Sequence, residues 1–182
     1  MCYNENRGGE VDDREETTGH FSQAERAASK LLREQSALKT PINAIRLAKA
    51  LGYEVYQASF KDNAISGGVN FQKQGGKIYL NRNDSPTRQR FTLAHELGHC
   101  IMHREYYRNG ILERIDVFRN PENHSQEEVE ANAFAANLLM PEQMVREMWK
   151  RWGYTEILAD IFKVSLSAMS YRLYNFHLKG DW

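Results

Sequence analysis

His95-Glu96-Leu97-Gly98-His99 is the stretch that most narrows what this chain can become. It reads H-E-x-x-H, the shortest unit able to build a catalytic zinc site, and it works only on a helix. On an α-helix, residues i and i+4 share a face about 6 Å apart. Two imidazoles there can converge on one Zn²⁺ at roughly 2.0–2.1 Å from each nitrogen. Glu96 then projects beside the metal, as the candidate base for a bound water. Flanking residues agree with a helix: Phe91, Ala94, Leu97 and Ile101 recur at helical spacing, and Pro86 suits a first turn capped by Asp84 or Ser85. The pattern predicts a helix over 86–103.

A catalytic zinc needs a third protein ligand and an open position. His103 repeats the spacing of four, but it lies eight residues, about 12 Å of helix axis, beyond His95. A straight helix cannot aim both at one ion together with His99, so His103 is left with an outer role or a solvated one. The stretch 127–141 reads as a second buried helix, ended by Pro141. Glu128 shares a face with the small or apolar Ala131, Ala135 and Leu139, and with Asn132. Small residues there allow close helix approach, so the periodicity favours Glu128 as the ligand, with Glu127 and Glu130 as alternatives. Asn132, one turn on, is placed to hydrogen-bond a liganding histidine and orient it.

Two motifs now stand together: R-F-T-L-A-H-E-L-G-H at 90–99 and E-x-x-A-N-x-F-A-A-x-L-L-M-P at 128–141. Over roughly 42–178 the chain resembles the ImmA/IrrE family of metallopeptidases. The resemblance implies an α+β fold with a zincin-like core, a small antiparallel sheet, a mostly helical body and a helix-turn-helix-like C-terminal segment. It implies zinc held by His95, His99 and Glu128, and Glu96 as the base in metal-assisted peptide hydrolysis. It also implies a protein substrate, such as a helix-turn-helix repressor of a mobile element or stress regulon. In zincins an edge strand aligns the substrate as an added strand, and the hairpin over 67–81 is the candidate here. His103, Tyr106, Tyr107 and His124 are near enough in sequence to be considered as oxyanion stabilisers.

Composition excludes other classes. Lys+Arg and Asp+Glu are 24 each, so no overall field favours nucleic acid or an anionic membrane. No apolar run is long enough for a membrane span, the N-terminus is unlike a secretory leader, and two cysteines do not make a disulfide framework. The expected compartment is the cytoplasm. Residues 1–19, polar with an acidic cluster, read as a disordered tail. A single metallopeptidase domain over 20–182 follows: N-terminal helices at 20–52, the sheet at 53–81, zinc-site helices at 86–140 and a C-terminal helical segment at 141–182. Thr40-Pro41 marks the start of the second N-terminal helix. The apolar stretch 104–124 reads as a flap or wall over the cleft.

Residues 154–178 have the outline of a helix-turn-helix, which raises DNA binding as a rival reading. Against it, Lys163 stands where the turn usually has Gly, and six Lys/Arg against five Asp/Glu over 141–182 fall short of a basic footprint. A zinc-stabilised binding protein without hydrolysis, an antirepressor or toxin-antitoxin component, is the other rival. Glu96 argues against that, because a closed structural site needs no base.

Overall fold

The apolar run at 67–71 and the alternating run at 77–81 close a hairpin. Strands β2 (Gly67–Phe71) and β3 (Gly76–Asn81) pair antiparallel, with Val69 opposite Ile78. Strand β1 (Tyr53–Ala58) lies on the other side of β3 and runs parallel to it. The short β4 (Glu113–Asp116) pairs antiparallel with β2, so the order is β1-β3-β2-β4. The computed structural model describes residues 13–62, 64–72, 74–104, 113–116 and 125–179.

Two expectations change. The sheet is mixed, not purely antiparallel, because the chain makes β2 before it reaches β3. The connection between parallel neighbours thus has the length such a pair needs. And neither hairpin strand is an edge: β1 covers β3 and β4 covers β2, so the hairpin offers no open rim to a substrate.

Helix α1 (Asp13–Glu34) begins inside the stretch read as tail, while residues 1–12 lie outside the described residues. Its Ala24, Ala28, Leu31 and Leu32 are buried. Helix α2 (Ala44–Ala50) starts later than Pro41 suggests, because Asn43 is the cap: its Oδ1 accepts from the Arg46 N–H at 3.0 Å. Helix α3 (Pro86–Met102) carries the H-E-x-x-H motif. Pro86 opens it, and Ser85 Oγ accepts from the Arg88 N–H. Every residue from Thr92 to Cys100 is buried, because α3 lies between the sheet and helix α4 (Gln126–Leu139).

Two glycines set these contacts. A Cβ on Gly98 would stand 3.2 Å from Ala131 Cα and from Phe134 Cβ, so its absence lets α3 and α4 touch backbone to backbone. A Cβ on Gly67 would meet Thr92 Cγ2 and the Tyr79 carbonyl at 2.4 and 2.9 Å, so β2 lies directly on α3 beside Glu96.

Helices α5 (Glu142–Trp152), α6 (Thr155–Phe162) and α7 (Leu166–Asn175) complete the body. Lys163, between α6 and α7, adopts the left-handed conformation that glycine usually supplies, with φ 53° and ψ 49°. Arg90 of α3 grips this turn. Its Nε donates to the Lys163 carbonyl at 3.1 Å, and its Nη2 donates to those of Ile42 and Phe162 at 3.0 and 3.4 Å. Burial lowers the Arg90 pKa. Of the stretch expected to form a flap, most lies outside the described residues. Arg104 donates to Tyr53 Oη and the Gln72 carbonyl, and 113–116 form β4. Among the described residues no helix is long and apolar enough to cross a membrane.

Candidate metal centre

One face of α3 presents His95 and His99, both fully buried. Asn132 Oδ1 accepts from His95 Nδ1–H at 2.9 Å, which leaves the Nε2 lone pair facing inward. His99 Nδ1 is 2.9 Å from His103 Nδ1, and His103 Nε2 is 2.8 Å from Glu130 Oε2. The carboxylate accepts from Nε2–H, so His103 Nδ1 is an acceptor and His99 Nδ1–H the donor. The His99 lone pair is thereby also on Nε2. The two Nε2 atoms lie 2.9 Å apart, with Glu128 oxygens 3.3 Å from His95 Nε2 and 3.5 Å from His99 Nε2.

Two lone pairs and a carboxylate aimed at one point repel unless a cation lies between them. The spacing suits one: ligands on a tetrahedral zinc with 2.0–2.1 Å bonds stand about 3.3 Å apart. His95, His99 and Glu128 are the one group of this kind among the described residues, their ligand atoms lying within 4.8 Å of one another. Of the alternatives, Glu130 is engaged by His103 and by Gln126 Nε2 at 2.9 Å, and Glu127 does not join the group. Glu96 is fully buried beside His95, on the side of α3 where Gly67 of β2 passes.

The residues that sequence reasoning left unplaced are His103 and Glu130. They form a buried carboxylate–imidazole pair behind His99, so His103 does not face a substrate. The available signal was that His103 continues the four-residue register of His95 and His99. Tyr106, Tyr107 and His124 lie outside the described residues. Nearby, burial against Cys100 raises the Tyr53 phenol pKa.

One cationic group of the C-terminal helices, Arg172, is turned inward. Arg172 donates through Nε and Nη2 to the Met140 carbonyl at 3.1 and 3.0 Å and through Nη2 to Asn137 Oδ1, and it stacks on Phe176. Burial pushes its pKa down to about 10. Lys163 pairs with Asp160 at 2.6 Å.

Known proteins give the same frame. The chain is 37% identical over 108 residues to the radiation response metalloprotease IrrE of Deinococcus radiodurans, a match spanning 57% of this chain and 32% of that protein. A solved Mycobacterium tuberculosis transcriptional regulator shares the fold with a TM-score of 0.58 at 13% identity, over 84% of this chain and 46% of the regulator. This chain thus corresponds to less than half the length of either. The profile of the IrrE N-terminal-like domain matches residues 48–174, and the chain belongs to that family.

Proposed function

We propose that this chain is a zinc-dependent endopeptidase of the cytoplasm that cuts a specific protein, a helix-turn-helix repressor of a mobile element or stress regulon being the expected kind. The observation that carries this reading is the convergence of two imidazole lone pairs and the Glu128 carboxylate on one point. His95, His99 and Glu128 would hold the ion, and a nitrogen-nitrogen-oxygen set suits Zn²⁺. Bound there, zinc supplies Lewis acidity toward water and the scissile carbonyl. The Glu96 carboxylate takes the proton from the attacking water and delivers it to the leaving amine nitrogen. Asn132 and the His103–Glu130 pair hold the two imidazoles in the tautomer with Nε2 available.

A buried carboxylate next to the first histidine favours hydrolysis over a purely structural metal. The inward bonding of Arg90 and Arg172 argues against a DNA-reading helix pair. Co-expression with a helix-turn-helix repressor encoded beside its gene is the test. The parent should cut it, while Glu96→Gln retains zinc and cuts nothing. Cleavage by the Gln variant removes Glu96 from its role. An intact repressor that stays bound to the zinc-loaded parent supports a non-hydrolytic binder instead.

A further inference from the structure

Thr92 of α3 is fully buried, yet among the described residues nothing bonds its Oγ1. A buried hydroxyl without a partner is a standing loss of stability, which valine avoids with nearly the same shape. Inside a helix, threonine ordinarily settles its hydroxyl on the carbonyl one turn back. Here the Arg88 carbonyl does not take it. Packing therefore accounts for the methyl of Thr92 and leaves the oxygen unexplained.

The surroundings explain it. Thr92 and Glu96 lie four residues apart on α3 and so share a face. Helical side chains lean toward the N-terminus, which carries the Glu96 carboxylate back over the turn of Thr92. Gly67 of β2 closes on both. A Cβ there would stand 2.4 Å from Thr92 Cγ2 and 3.5 Å from Glu96 Oε1, so the methyl and the carboxylate oxygen flank one point of the β2 backbone. Oγ1 and Cγ2 branch from the same carbon and are nearly equal in size. A turn about χ1 exchanges them, and it brings the hydroxyl to the carboxylate without opening a cavity.

We propose that Thr92 is a positioning residue for the base: its hydroxyl donates to Glu96 Oε1 and so keeps the other carboxylate oxygen turned toward the attacking water. The assignment rests on the peptidase reading above. A glutamate side chain turns about three bonds, and fixing one oxygen fixes the plane in which the second can accept a proton.

Two substitutions at this position separate the oxygen from the methyl. Thr92→Val keeps the shape and removes the hydroxyl; Thr92→Ser keeps the hydroxyl and removes the methyl. The zinc-loaded full chain is assayed on the repressor encoded beside its gene. Thr92→Val should lower kcat about 10- to 100-fold, the worth of one hydrogen bond to a charged group, with KM unchanged. Thr92→Ser should stay within about threefold of the parent. Stability should run the other way. Thr92→Val should melt no lower than the parent, and Thr92→Ser about 2–4 °C lower for its lost methyl. Chelator competition should give both variants the zinc affinity of the parent. Acetohydroxamate, a probe that chelates the metal and hydrogen-bonds the base, should bind Thr92→Val about tenfold more weakly than the parent or Thr92→Ser in calorimetric titration. Parental kcat and hydroxamate affinity in Thr92→Val, equal losses in both variants, or a zinc loss that accounts for them overturns the assignment and leaves the peptidase reading standing. If the parent cuts no repressor, the hydroxamate comparison decides. If the parent binds no hydroxamate either, the peptidase reading falls, and the role of Thr92 with it.

Discussion

Replacing His103 and Glu130 together by leucine removes the carboxylate–imidazole pair behind His99 and separates what holds the fold from what holds the metal. His103 is 2% exposed and Glu130 7%, and their bond is 2.8 Å. Breaking a buried pair from one side strands the other partner, so His103→Leu alone should destabilise the metal-free chain by about 3 kcal/mol or more. Removing both partners in favour of apolar groups should recover part of that loss, leaving a deficit of about 1–3 kcal/mol from the buried His99 Nδ1–H that lacks an acceptor. Metal affinity should not recover in the double variant. His99 Nδ1–H then has no imidazole to accept its proton, and loss of such a partner costs about 10- to 100-fold in affinity. Thermal unfolding of the metal-free chains reads the first effect, and competition against a chelator of known zinc affinity reads the second. A double variant that binds zinc as tightly as the parent would refute the claim that this pair orients His99.

Three further predictions follow from other contacts. Gly98→Ala places a Cβ 3.2 Å from Ala131 Cα, so α4 must shift; we expect a loss of about 1–3 kcal/mol on thermal unfolding and faster zinc loss to a chelator. Lys163→Gly relieves a left-handed backbone position and should raise stability by about 1 kcal/mol, seen as a melting temperature about 2–4 °C higher. Arg90→Ala removes the guanidinium bonds to the Ile42, Phe162 and Lys163 carbonyls, of which Ile42 keeps the Ala44 N–H, and should cost about 2–3 kcal/mol, with the α6–α7 turn gaining the most amide exchange.

What could be read beforehand was local. The motif helix is written in the four-residue spacing of His95 and His99 and in Ser85-Pro86 at its start. Glu128 and Asn132 could be chosen because they share a helix face with small residues, which bear on a partner that must come close. What escaped depends on distant pairings. Whether β1 runs parallel or antiparallel to β3 is not encoded in its own residues, since alternation looks the same either way. The hairpin's failure to be an edge follows from β4, in a stretch whose apolar residues gave no clear period. Glu130 meets His103 across 27 positions of chain, a meeting set by how α3 and α4 cross at Gly98. Lys163 argued against a tight helix–helix turn, yet the turn forms there, held by Arg90.

The account's central claim is most directly tested by zinc-edge anomalous diffraction from crystals of the zinc-loaded chain. It predicts one peak per chain, bonded to His95 Nε2, His99 Nε2 and Glu128, with a solvent oxygen in the remaining position. A peak elsewhere, or a density map with Glu128 turned away and no other carboxylate replacing it, would contradict it.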